Sequence, residues 1–140
     1  MSDSDLSMYE LTGTRTSPQR MHVDTEDASF EIGRDVNPVE YFLGSILGCL
    51  NSTGTMVARD MGIDVEELEV TIEGGVNYAT YLGEDSPDRP GLQGVEVTMS
   101  VTADADEAEL QEWLAAIERR CPVTDNVENG TAVDVTLDVR

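Results

Sequence analysis

Lysine is absent from this chain: its eight basic residues are all arginine, set against 29 acidic ones. Any side-chain cation that holds a thiolate must therefore be a guanidinium. The formal net charge of −21 repels nucleic acid and anionic lipid, so neither is an expected partner. Apolar runs are short, none approaching the roughly 20 residues that cross a bilayer. The opening Met-Ser-Asp-Ser-Asp is acidic and has no apolar core segment, so it does not read as a signal peptide. The cytoplasm is the expected location, and thiols there stay mostly reduced. Histidine occurs once, at His22. A structural zinc site would need carboxylates beside it, and a Ser-His-Asp triad would rest on this one imidazole in a probable strand. His22 reads instead as an ordinary half-exposed side chain, and no metal is expected. There is no Gly-rich phosphate loop, no Cys-x-x-Cys, no repeat and no low-complexity block. No cofactor is expected.

What remains is a chain of 140 residues, 39% of them apolar. That composition folds, and a chain of this length buries about two-thirds of its unfolded surface. One domain covering residues 1–140 is expected. The carboxylates are spread along the chain and not gathered into a tail, which favours adaptation to a high-salt cytoplasm over mimicry of an acidic partner. Molar salt shortens the Debye length to about 3 Å and relieves their repulsion.

The hydrophobic pattern predicts an α+β fold. Tyr9 and Leu11, Met21 and Val23, and Phe30 and Ile32 alternate with polar neighbours, giving three short strands in a meander. Asn37 caps and Pro38 opens a long helix whose apolar stripe runs through Val39, Phe42, Leu43, Ile46, Leu47, Leu50, Val57 and Met61, with Gly62 as its stop. Gly44, Gly48 and Ser52 make a second stripe of small residues. It serves either tight packing within one subunit or helix contact across a dimer. Leu68, Val70 and Ile72 mark a strand, as do Val95, Val97, Met99 and Val101, and the polar loop Tyr78–Gly91 separates them. A second helix runs from about Asp106 to Arg120 and ends close to Cys121, because Pro122 disfavours helix at the residue before it. A short turn or helix reaches Asn129-Gly130, and Val133, Val135, Leu137 and Val139 predict a last strand.

Chemistry centres on the two cysteines. On a helical wheel Cys49 lies at the edge of the apolar stripe, with Ser45 and Met56 beside it, and Cys121 continues the inner face of the second helix. Taken alone, each reads as an inert core cysteine. Both on core-facing positions, they are also a pair to be tested.

The segment Asn37-Pro38-Val39-Glu40-Tyr41-Phe42-Leu43-Gly44-Ser45-Ile46-Leu47-Gly48-Cys49 resembles the first-cysteine motif of the OsmC/Ohr family, and Arg119-Arg120-Cys121-Pro122-Val123 resembles its second. Gly62-Ile63, Leu68-Glu69-Val70, Glu73-Gly74 and Asp134-Val135-Thr136-Leu137 fit the same family, so the likeness runs over roughly residues 8–139. It implies an OsmC-like fold: N-terminal β-meander, long central helix with the first cysteine, further antiparallel strands, second helix ending at the second cysteine, closing strand, and an intertwined homodimer.

In peroxide-reducing members the first cysteine attacks a hydroperoxide and the second resolves the product as a disulfide. An Arg holds the thiolate, and a Glu orients the Arg. The resemblance thus implies Cys49 as the peroxidatic residue, Cys121 as the resolving one, Arg15 or Arg20 as the guanidinium, and Glu40 as its carboxylate. Those members carry the Glu directly after the Pro, where this chain has Val39. The shift to Glu40 turns the side chain by about 100° and brings the chain nearer the broader OsmC-like branch. Glu40 and Cys49 are also about 13.5 Å apart along the helix axis and on opposite sides of it. If both serve one site, Glu40 comes from the other subunit.

The implied reaction is thiol-dependent reduction of an organic hydroperoxide. It passes through a Cys49 sulfenic acid and a Cys49–Cys121 disulfide, which an external thiol or dithiol then reduces. Phe42, Ile46 and Met56 supply an apolar lining. The alternatives are a non-catalytic OsmC-like ligand-binding protein and a thiol-redox sensor.

Overall fold

The computed structural model describes residues 5–140; Met1–Ser4 of the acidic start lie outside them. The chain divides into two compact units, Met1–Phe42 and Leu43–Arg140.

The first unit is the expected meander. Strands β1 (Thr12–Ser17), β2 (Arg20–Asp24) and β3 (Ser29–Ile32) form an antiparallel sheet in the order β1-β2-β3. The first strand is displaced from its expected place: Tyr9 and Leu11 precede β1 and are 86% and 52% exposed. Alternation marked them as strand, but a strand needs a partner for its amides, and the β1–β2 pairing begins only at Thr12↔Asp24. Phe30 stacks on Tyr41 with ring centroids 5.6 Å apart, and the Tyr41 hydroxyl donates to the Glu31 carbonyl at 2.7 Å.

Helix α1 spans Pro38–Met61, and local chemistry sets both ends. Asn37 Oδ1 accepts from the Glu40 N–H at 2.9 Å while Glu40 Oε1 accepts from the Asn37 N–H at 3.0 Å, a reciprocal capping box. Gly62 ends the helix at φ 71, a left-handed conformation that suits glycine.

In the second unit, strands β4 (Val65–Val76) and β5 (Leu92–Ala103) form one long antiparallel hairpin. Leu68, Val70, Ile72, Met99 and Val101 pack from it against a core of Ile46, Leu50, Val57, Ala58, Ile63, Trp113, Ile117 and Cys121. Helix α2 (Glu107–Arg120) starts with a second capping box, Asp106 with Glu109. Helix α3 (Pro122–Asn129) follows at once, its Pro122 in the first turn. Cys121 stands between them at φ −77, ψ 111, the extended backbone that a following proline requires.

The glycine that brings α1 and α2 together is Gly54. A Cβ there would meet Trp113 Cζ2 at 3.0 Å, and its carbonyl accepts from Trp113 Nε1 at 2.8 Å. At Gly44 and Gly48 no atom lies within 4 Å of where a Cβ would stand, so the packing within this subunit does not require their smallness. Phe42 of the stripe, at 43% exposure, and Met56 of the expected apolar lining, at 52%, are less enclosed than the pattern implied.

The expected closing strand is not formed. Residues 130–140 carry neither helix nor strand, and Val133, Val135, Leu137 and Val139 are at least 81% exposed. The alternation is present in the sequence; a ladder of main-chain hydrogen bonds for it is not.

Candidate functional site

Two helices deliver the two sulfurs. Cys49 lies on α1, half-buried, one turn before Thr53. Cys121 is 2% exposed at the junction of α2 and α3. Its N–H closes α2 by donating to Ile117 O at 3.0 Å, and its carbonyl opens α3 by accepting from the Asp125 N–H at 3.2 Å. Main-chain bonds on both sides therefore fix its position.

The sulfurs lie 3.1 Å apart in hydrogen-bonding contact, although 72 residues separate them in sequence. That is about 1 Å longer than a disulfide bond. Both thiols are free. Thr53 Oγ1 is 3.7 Å from Cys49 Sγ, and the Thr124 hydroxyl donates to the Cys121 carbonyl at 3.3 Å.

The two thiols differ electrostatically. Burial, then the hydrogen bond with Cys121, push the Cys49 thiol above its ordinary range, against the Val123 amide and the Thr53 hydroxyl. Burial is also the largest single influence on Cys121 and raises it. The Thr124 hydroxyl and amide, Cys49 and the Val123 amide together outweigh it and bring Cys121 below the ordinary thiol range. Cys121 Sγ makes no side-chain N-cap hydrogen bond, so the amides at the start of α3 act on it as dipoles.

The other expected site residues belong to the first unit. Arg20 donates to Glu31 at 3.0 Å and Asp35 at 3.2 Å. The Arg20 bond, then His22, holds the Glu31 carboxyl below its usual range. His22 is half-exposed as expected, with its ring nitrogens 3.2 Å from Asp24 and 3.4 Å from Glu31. Arg15 is exposed on β1, opposite Met21. The Glu40 carboxylate is engaged in the capping box. Among the described residues no cluster of three or more His, Cys, Asp or Glu is arranged to hold a metal, and no helix is long and apolar enough to cross a membrane.

Sequence reasoning missed two hydroxyls. Thr53 stands four residues after Cys49 on the buried stripe, and that spacing was available as a signal. Thr124 becomes visible only once α3 is known to begin at Pro122. An open groove of about 470 Å³ between the later turns of α1 and the start of β4, lined by residues such as Thr55, Arg59 and Leu68, contains neither sulfur.

Comparison with known proteins matches residues 31–136 to the model of the OsmC-like protein family. No curated protein matches. Among solved structures, an OsmC-like protein from Mycoplasma pneumoniae superposes with a TM-score of 0.77 at 15% identity, covering 87% of this chain and 88% of that one. A Legionella pneumophila protein described as an organic hydroperoxide resistance protein OsmC gives 0.65 at 20% identity, covering 89% and 92%. The organic hydroperoxide resistance protein OhrB of Bacillus subtilis gives 0.56 at 20% identity, covering 88% and 93%. With a family match over most of its length and the same fold in these structures, the chain belongs to the OsmC-like protein family.

Proposed function

We propose that this chain is a thiol-dependent peroxidase that reduces organic hydroperoxides. Cys49 attacks the distal oxygen of the peroxide and becomes a sulfenic acid, and the alcohol leaves. Cys121 condenses with the sulfenic acid, giving a disulfide and water, and an external thiol or dithiol in the cytoplasm restores both thiols. The observation that carries this reading is the 3.1 Å separation of the sulfurs. A disulfide can close there with small side-chain movement. Relatives named for organic hydroperoxide resistance support the substrate class. Stoichiometric cumene hydroperoxide should remove two free thiols per chain without adding oxygen to the protein. If both thiols survive organic hydroperoxide, the reading fails.

Use of Glu40 in the helix cap favours a second reading, a thiol-redox sensor without turnover. Such a sensor forms the same disulfide but consumes no excess peroxide when a dithiol is supplied. Steady-state consumption across several peroxides separates the two.

The same proposal includes a homodimer. The open flank at Gly44 and Gly48 and the exposed alternation of Val133 to Val139 support it, since a second copy supplies both a helix face and a strand partner. In that assembly Arg15 or Arg20, with Glu40, would serve the thiolate. Light scattering in molar salt should give twice the chain mass; a monomer there removes the dimer.

A further inference from the structure

A threonine within a helix commonly turns its hydroxyl to the carbonyl four residues back. Thr55 does so on α1, donating to Asn51 O at 2.9 Å. Thr53, two residues earlier, does not. Among the described residues its hydroxyl has one hydrogen-bonding contact, Cys49 Sγ at 3.7 Å, and the Cys49 carbonyl accepts from the Ser52 hydroxyl at 3.3 Å instead. Thr53 is also the one buried polar side chain among the described residues, at 7% exposure. A buried hydroxyl costs stability unless it is bonded, and a neutral thiol is a weak partner for it. A thiolate is a strong partner, and toward a thiolate only the hydroxyl can donate. Burial, then Cys121, oppose ionisation of Cys49, while the Val123 amide and the Thr53 hydroxyl favour it. The charged groups on the elements packed around the pair are engaged elsewhere or exposed. Arg120 is paired with Asp60 of α1 at 2.9 Å, and Asp125 of α3 accepts from Asn129 at 2.6 Å. Glu118 and Arg119 are exposed, and β4 and β5 send apolar side chains to the cluster.

We propose that Thr53 is a catalytic residue of the first step: its hydroxyl donates to the Cys49 thiolate that attacks the peroxide. The proposal rests on the peroxidase reading and adds to it a donor one helical turn from the nucleophile on the same chain. In that step the Cys49 thiolate forms an S–O bond to the distal oxygen of ROOH, the O–O bond breaks, and Cys49–SOH and RO⁻ result. RO⁻ takes a proton from solvent and leaves as ROH. The sulfur loses its charge along this path, so the hydroxyl has two opposed effects. It raises the fraction of Cys49 present as thiolate, about tenfold for one hydrogen bond to a charged group. It also makes that thiolate a weaker nucleophile, by about threefold for a Brønsted slope of about 0.4–0.5. The net gain near neutral pH is about threefold. Above the range in which the Cys49 thiol titrates, only the second effect remains.

Alkylation by iodoacetamide against pH tests this without peroxide, in a Cys121→Ser background where Cys49 is the single thiol. Adding Thr53→Val, which keeps the side-chain shape, should slow alkylation about threefold near neutral pH and speed it about threefold at high pH, so that the two profiles cross. Thr53→Ser should restore the parent profile. Thr53→Val should leave the thermal midpoint level or raise it, because a buried hydroxyl with only a sulfur partner has been removed. If Thr53→Val does not fold, Thr53→Ala deletes the same hydroxyl and is read in the same way. Coincident profiles, or a variant slower at every pH, overturn the proposal. A lower midpoint with coincident profiles marks a hydroxyl that serves the fold alone and overturns it too. Rapid mixing with cumene hydroperoxide, with Cys121 intact, should show the same crossing in the rate of sulfenic acid formation. A crossing in alkylation without one in peroxide reduction also overturns the catalytic role. Wild type that consumes no peroxide sinks the functional reading alone, and alkylation still decides whether Thr53 holds the thiolate.

Discussion

Cys49→Ser should abolish hydroperoxide consumption, lowering the rate by at least about a thousandfold, as removal of a nucleophile does. It should also leave the Cys121 thiol unoxidised. The second half of the result is the informative one. Cys121 has the thiol more readily ionised, yet only 2% of its surface is exposed, so a bulky peroxide does not reach it. Cys49 is the more accessible and the less acidic sulfur. Cys121→Ser should behave differently. Its Cys49 still oxidises, but with no resolving thiol at 3.1 Å it stops at the sulfenic acid and then over-oxidises. Intact-mass measurement after cumene hydroperoxide reads both variants. Equal rates of thiol loss in the two would show the sulfurs to be interchangeable and would remove the assigned order.

Much of this site was legible because its signals are local. Asn37-Pro38 and Gly62 bound α1 through a cap, a fixed φ and a left-handed residue, none of which needs tertiary context. Pro122 likewise separated α2 from α3 and set Cys121 at the junction. The helical wheel put Cys49 at the edge of the apolar stripe, and the structure has it half-buried. The meeting of the two cysteines across 72 residues was implied by family resemblance, since helical spacing carries no such long-range information.

The parts that were not legible depend on partners. Val133 to Val139 alternate as a strand should, but pairing is a property of two segments, and the sequence names only one. Tyr9 and Leu11 illustrate the same gap at the other end of the chain. Glu40 shows a different failure. Asn37-Pro38-Val39-Glu40 is a readable capping box, and read that way it assigns the carboxylate to the Asn37 amide before any catalytic role is considered. The small stripe at Gly44 and Gly48 drew attention by its period, while Gly54, off that period, makes the contact with Trp113.

The thermal midpoint should rise by roughly 10 °C between low salt and molar KCl. The chain has 29 carboxylates, and among the described residues arginine pairs with three of them: Arg20 holds Glu31 and Asp35, and Arg120 holds Asp60, while His22 lies beside Asp24 and Glu31. These pairs are exposed, so screening them loses little. The unpaired remainder repel one another. Two like charges about 10 Å apart in water cost about 0.4 kcal/mol. Screening over that distance removes roughly two-thirds of this at 0.1 M and nearly all of it at 1 M. The difference is about 0.1 kcal/mol per pair, and on the order of twenty neighbouring pairs gives 2–3 kcal/mol of relief. For a chain of this size that corresponds to a midpoint shift of roughly 10 °C. Calorimetry at stepped KCl concentrations measures it, and sucrose at matched osmolality controls for solvent exclusion. A rise that sucrose reproduces in full, or a midpoint flat across the salt series, would rule out the high-salt reading of the charge.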